Sequence, residues 1–150
     1  MRLRDQMPEW KRESMWLNSR PLMKHDLRGD IPSLIHFWSV SCSLCKKAMP
    51  NINTIYEEYK NHLNVIAVHM PRSDNDFDLE KIKATAKAHH ITHPLCIDND
   101  YKLTDAFNNK YVPAYYLFDR EGTLRYTQIG SRRLTMLCKR IERLAIKNHA

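Results

Sequence analysis

The sequence predicts an α/β sandwich, a mixed β-sheet with helices on both sides. Three observations point to it. Two short apolar runs, Ser33–Ser39 and Asn64–His69, bracket a segment whose apolar residues recur with a helical period. A second pair of strand-like runs, Ala114–Asp119 and Thr123–Ile129, is separated only by Arg120, Glu121 and Gly122. The C-terminal segment places Leu134, Leu137, Cys138, Ile141, Leu144 and Ala145 on one helical face.

Residues 1–31 are mixed in character, with isolated short strands expected around Trp10 and at Met15–Leu17. Pro32 precedes Ser33–Ser39, which is short, apolar and aromatic and reads as a buried strand. Beyond Cys42-Ser43-Leu44-Cys45, the residues Ile52, Ile55, Tyr56, Tyr59 and Leu63 form one face of a helix. Asn64–His69 is a second buried strand. Strand, helix and strand make a βαβ unit, so the two strands are expected parallel with a right-handed crossover. The acidic stretch Asp74–Asp78 leads into a helix over about Leu79–His90, with Asp76 or Asp78 as its cap. Pro94–Ile97 reads as a short strand and Tyr101–Phe107 as a short helix. Gly122 supplies the freedom for a tight connection, so 114–119 and 123–129 form an antiparallel hairpin.

The chain has 150 residues, the size of one domain, and residues 1–20 read as an N-terminal extension of it with short strands. Apolar residues make up 43% and charged residues 27%, a soluble composition; 3 Gly and 7 Pro exclude collagen-like and low-complexity chains. No apolar run approaches the roughly 18 residues of a membrane span. Arg2, Arg4, Lys11 and Arg12 are not followed by the apolar stretch of a secretory signal, so a cytoplasmic location without membrane association is expected. In that reducing compartment a structural disulfide framework is not expected.

The net charge of +7 sits at the ends. Residues 1–24 hold six Lys or Arg against three acids, and residues 131–150 hold six against one. Arg132, Arg133, Lys139, Arg140, Arg143 and Lys147 spread along an amphipathic helix. They read as a solvated helix face, not as a nucleic-acid stripe.

Cys42 and Cys45 carry the chemistry. They lie where a buried strand turns into a helix, and a C-x-x-C there reads as a redox pair. At a helix N-terminus the unpaired N–H groups and the positive dipole end stabilise a thiolate. Cys42 is therefore the expected exposed nucleophile toward a substrate disulfide, and Cys45 the buried thiol that resolves the mixed disulfide. The alternatives are buried structural thiols or half a zinc site. A tetrahedral zinc takes four ligands, and no second C-x-x-C exists.

Phe37-Trp38, Cys42-x-x-Cys45, Pro50 and Val112-Pro113 together resemble the thioredoxin superfamily over residues 20–145. The insertion between the strands at Val65 and Ala114 resembles the TlpA/ResA-like branch. Ile35-His36-Phe37-Trp38-Ser39, Ala67-Val68-His69-Met70-Pro71-Arg72-Ser73 and Tyr111-Val112-Pro113-Ala114-Tyr115-Tyr116 are especially similar to the cytosolic thiol–disulfide oxidoreductases of bacilli within it. The resemblance implies a thioredoxin-like fold and exchange of the dithiol with disulfides of protein substrates, in the reducing direction. It implies no prosthetic group, an upstream reductase that regenerates the dithiol, and a monomer. It also implies a cis Val112–Pro113 bond, with Pro113 against the cysteines and the Val112 backbone pairing with an incoming peptide. Pro50 would kink the helix; without the resemblance it reads as a helix boundary. Trp38 reads as packing beneath the site, shaping the substrate-binding surface from below.

Three positions depart from the thioredoxin pattern. Ser41 replaces the Trp before the first cysteine, Leu44 replaces the Pro before the second, and His36 replaces a buried Asp that handles the proton of the second thiol. A buried neutral imidazole could do that work, so His36 is a candidate catalytic base; the plain alternative is an idle core histidine. A thiol peroxidase is a rival within the same fold. Ser39 and Cys42 fit the end of its motif, but Ile35 stands where Pro belongs. A second rival is a redox-inert peptide- or zinc-binding module. Cys96 and Cys138 read as small buried hydrophobes, and His89, His90 and His93 with Cys96 show no recognisable metal-ligand spacing.

Overall fold

Every residue of β2 (Ser33–Trp38) is buried, as an apolar run without polar alternation requires of a central strand. In the computed structural model, which describes residues 1–146, β2 sits inside a six-stranded sheet. The other strands are β1 (Met15–Leu17), β3 (Asn64–His69), β4 (Leu95–Ile97), β5 (Ala114–Phe118) and β6 (Leu124–Ile129). Their spatial order is β1-β4-β3-β2-β5-β6. β2 pairs parallel with β3, from Ser33 opposite Asn64 to Trp38 opposite His69, and antiparallel with β5. β4 extends the parallel half, and β6 closes the antiparallel half as the hairpin partner of β5. The expected mixed sheet is therefore present, with its parallel-to-antiparallel switch at β2.

Side chains alternate across the pleat. Leu34 and Trp38 join one core with helices α1 (Ser43–Glu58), α2 (Leu79–Ala88) and α4 (Leu134–Ala145). Ile35 and Phe37 join the other, under helix α3 (Lys102–Phe107) and the N-terminal segment. Residues 1–20 are thus part of the second core's cover. They contain one strand, β1, antiparallel to β4 at the sheet edge, and an isolated bridge from Gln6 to Thr123. The strand expected around Trp10 is not formed. Trp10 is buried instead by packing on Trp16 and Phe107, and its indole N–H donates to Met7 Sδ at 3.3 Å. Burial of the ring, and not strand pairing, places this segment.

α1 buries Cys45, Ala48, Met49, Ile52 and Ile55. It ends at Glu58, short of Leu63, which is buried in the turn before β3. Pro50 lies inside α1 on its exposed side, so it is not a boundary. α2 is capped by Asp78, whose Oδ1 accepts the N–H groups of Glu80 and Lys81 at 3.0 and 3.4 Å. It stops at Ala88 and not His90, because His90 takes a left-handed φ of 57°. Gly122 has φ +82°, a left-handed backbone that favours glycine, so the turn of the hairpin needs it. On α4, Leu137, Ile141 and Ala145 are buried while Arg132, Arg133, Lys139, Arg140 and Arg143 face solvent. Lys147 lies outside the described residues. No helix among the described residues is long and apolar enough to cross a membrane.

Candidate active site

β2 delivers the chain into a three-residue turn, Ser39–Ser41, and Cys42 then caps α1 with extended φ and ψ of −97° and 104°. Its Sγ accepts the N–H of Cys45 at 3.1 Å. This is the position where the first helical N–H groups have no backbone partner. Cys42 and Cys45 form a disulfide, with Cα atoms 5.3 Å apart. In this oxidised form both cysteines are buried, Cys42 at 4% and Cys45 at 2% exposure. The exposed nucleophile expected from the sequence is therefore nearly covered in the disulfide form, and Val40 and Val112 pack on the core that holds both cysteines. What separates the two sulfurs here is position on the helix, not exposure.

The turn before Cys42 is stitched, residue by residue, to the end of β3 and the segment that follows it. The Ser39 hydroxyl donates to the Met70 carbonyl. The Val40 N–H donates to His69 Nε2 at 3.1 Å. The Ser41 hydroxyl donates to Asp76 Oδ2 at 2.7 Å and accepts from Nε and Nη2 of Arg72 at 3.2 and 3.1 Å. Burial lowers the pKa of His69 to about 4, so its neutral ring can accept from Val40. Burial alone would raise the Asp76 pKa, but the Arg72 backbone N–H and the Ser41 hydroxyl hold it below the usual carboxylate range. Asp76, weighed from the sequence as a helix cap, is thus a support of the site. His69, Arg72 and Asp76 were not expected as site residues. His69 and Arg72 fall in the run from Ala67 to Ser73 and Asp76 in the acidic stretch Asp74–Asp78, and neither stretch shows a spacing relation to the cysteines.

His36 is buried and sits opposite Ala67 and Tyr115 in the sheet. Its Nε2 lies 2.8 Å from Nε2 of His93, and its ring stacks toward Tyr115. No hydrogen bond joins it to either cysteine. Burial, then the neighbouring His93, lowers its pKa well below the ordinary value, and burial lowers that of His93 to about 4. Trp38 is buried in the same core as Cys42 and Cys45, with its ring edge-on to His69 at 5.0 Å.

The Val112–Pro113 bond is cis, and Pro113 is buried where the chain enters β5. Val112 packs on the core that holds the cysteines. Its backbone makes no hydrogen bond among the described residues, whereas the Pro113 carbonyl accepts from the Gly130 N–H at 2.8 Å. Cys96 is buried, and burial first, then Asp98, pushes its thiol up to about 12. Burial also raises Cys138. Neither is a thiolate at neutral pH. Among the described residues no group of three or more His, Cys, Asp or Glu side chains is placed to hold a metal. Ser39, the hydroxyl that the peroxidase alternative would need near the sulfur, is turned to Met70, and Ile35 lies within β2.

A thioredoxin-like sheet with a dithiol–disulfide pair capping its first long helix defines a thiol–disulfide oxidoreductase. The chain belongs to the AhpC/TSA family, whose pattern matches residues 3–127. It is 53% identical over 144 residues to the thiol-disulfide oxidoreductase YkuV of Bacillus subtilis, covering 96% of this chain and 97% of that one. It is 35% identical over 131 residues to the protein DipZ of Mycobacterium bovis, covering 82% of this chain but 18% of that longer one. Among solved structures, a thioredoxin-like protein in its oxidised form superposes with a TM-score of 0.89 at 52% identity, covering 98% of this chain and 99% of the other.

Proposed function

We propose that this protein reduces disulfides in protein substrates, with Cys42 as nucleophile and Cys45 as resolving thiol. The observation that carries the assignment is the cap: the Cys42 Sγ accepts the Cys45 N–H at the positive end of α1. The Cys42 thiolate attacks one substrate sulfur, forming a mixed disulfide and releasing the other substrate sulfur as a thiolate that takes up a proton. Cys45 loses its proton and attacks Cys42 Sγ. The second substrate thiol leaves, and the protein ends in the disulfide form with two electrons transferred to the substrate. An upstream reductase then returns two electrons and two protons to the pair.

His36 is the base for the Cys45 proton in this scheme. It lies on the strand that leads into the site, and its neutral ring has an acceptor nitrogen at working pH. Val112 and Pro113 dock the substrate backbone, which the unpaired backbone of Val112 supports. Trp38 shapes that surface from beneath. The protein acts as a cytoplasmic monomer without a prosthetic group. The test is equilibration of the pair with glutathione, followed by mass spectrometry, together with a Cys45→Ser variant challenged with a disulfide protein. Reversible oxidation of Cys42 and Cys45 and trapping of substrate on Cys42 are expected. A pair that stays reduced at every glutathione ratio would overturn the reading.

A further inference from the structure

Arg72 stands out among the charged groups near the cysteines because it is built in place. Its guanidinium donates twice to the Ser41 hydroxyl, at 3.2 and 3.1 Å, and Ser41 is the residue next to Cys42. That hydroxyl is held in turn by Asp76, a buried carboxylate that also accepts the Arg72 backbone N–H at 2.9 Å. The carboxylate is therefore turned inward and the guanidinium outward. Arg72 makes no salt bridge among the described residues, and its side chain is exposed. A guanidinium has five N–H donors. Two go to Ser41, which leaves three with no partner among the described residues, on an exposed side chain held to the residue next to Cys42.

An ordinary surface arginine loses rotamer freedom when it captures a partner, and this cancels much of the gain. Here the side chain is already ordered by Ser41, so less freedom remains to be lost. The planar fork matches a carboxylate, which it can bind through two parallel hydrogen bonds. The bonds from Ser39, Val40 and Ser41 to Met70, His69 and Asp76 keep Arg72 in register with Cys42.

We propose that Arg72 is a specificity-determining residue that selects disulfides carrying an Asp or Glu next to the attacked cysteine. The inference rests on the disulfide-reductase reading above. The side-chain carboxylate of the substrate segment seats on the free N–H groups of Arg72 while its sulfur meets Cys42. The preference is therefore a matter of binding and orientation, and Arg72 takes no part in the electron transfer.

The experiment uses three disulfide-bonded peptides that differ only in the residue beside the target cysteine: Asp, Asn or Lys. Initial rates of reduction by the reduced protein give a second-order rate constant for each. For the unaltered protein the Asp peptide is expected to exceed the Asn peptide by about tenfold, the scale of one well-placed charge-assisted contact, and the Lys peptide to fall below both. Arg72→Met should bring the three values together, and Arg72→Glu should reverse the order in favour of Lys. Ser41→Ala, which frees the guanidinium, should narrow the Asp-to-Asn ratio without reversing it. An unaltered protein that treats the three peptides alike overturns the proposal. So does Arg72→Met if it slows all three by the same factor, because Arg72 would then act on the Cys42 thiolate and not on the substrate. Failure of the unaltered protein to reduce even the Asn peptide would count against the disulfide-reductase reading itself, a separate outcome.

Discussion

The Nε2 atoms of His36 and His93 lie 2.8 Å apart, and both rings are buried. Two ring nitrogens at that distance share one proton, so one ring donates and the other accepts. If His36 is the donor, its Nδ1 carries no proton and is an acceptor. If His93 is the donor, His36 Nδ1 is protonated and cannot serve as a base. His93 therefore selects the tautomer of His36, and the role proposed for His36 requires it to be the donor.

From this we predict that His36→Ala slows resolution of the mixed disulfide near pH 7 by about 10²-fold, the low end of general-base effects, and leaves the first attack by Cys42 nearly unchanged. His93→Leu, which removes the acceptor, should show part of the same defect. His36→Asp should retain much of the resolving rate. The measurement is the rate of mixed-disulfide resolution against pH by rapid quench. Coincident profiles for the unaltered protein and His36→Ala would make His36 a packing residue.

The cap predicts a difference between the two thiols once the disulfide is reduced. At neutral pH, brief alkylation should modify Cys42 at least about tenfold faster than Cys45, because the N–H groups of the first helical turn favour its thiolate. Peptide mapping reads the ratio directly. Faster labelling of Cys45 would reverse the assignment of nucleophile and resolver.

The buried histidines predict an acid-side loss of stability. The folded pKa values of His69 and His93 are lowered from 6.5 to about 4, and that of His36 is lowered as well, by burial in each case. As pH falls below the unfolded value, the unfolded chain takes up protons that the folded one refuses. The stabilisation is complete above the unfolded pKa of 6.5 and is lost progressively as pH drops toward 4. Each of His69 and His93 should contribute a loss of roughly 2 kcal/mol by about pH 5. Asp98, whose pKa burial raises, acts in the opposite sense as one group against three. Urea midpoints near pH 7 and pH 5 test this, and an equal or higher midpoint at the lower pH is incompatible with three neutral buried rings.

Asp98 predicts the cost of losing one carboxylate outside the site. It is buried and accepts the N–H groups of Leu103 and Thr104 at 3.0 and 2.7 Å and the Thr104 hydroxyl at 2.7 Å. These bonds start α3, whose nominal cap, Tyr101, has a left-handed backbone and makes no side-chain capping bond. Asp98→Ala should cost about 3 kcal/mol in denaturant unfolding, because it strands buried donors. Asp98→Asn, which keeps acceptor capacity, should cost less. A loss under about 1 kcal/mol for Asp98→Ala would mean that water replaces the carboxylate.

The strands, the helices and the redox pair were legible because their signals are local. Ser33–Trp38 and Asn64–His69 appear as unbroken apolar runs, the α1 face repeats every three to four residues, and Cys42 and Cys45 sit at a strand-to-helix junction. Element ends were less legible. Leu63 continues the α1 pattern and is buried, yet it lies beyond the helix, because burial does not require helical backbone. Trp10 misled for the same reason: a buried aromatic in an irregular segment carries the composition of a strand.

The sequence by itself determined the mixed α/β sandwich and the chemistry of Cys42 and Cys45. A strand period, a helix period and a cap depend only on residues within a few positions of one another. The surroundings of that pair were decided by tertiary structure alone. His93 reaches His36 across 57 positions because β4, β3 and β2 lie side by side, and Asp76 and Arg72 reach Ser41 across 35 and 31 positions because β2 and β3 end in register. Strand order and register bring such side chains within hydrogen-bond distance, and neither leaves a periodic trace in the chain.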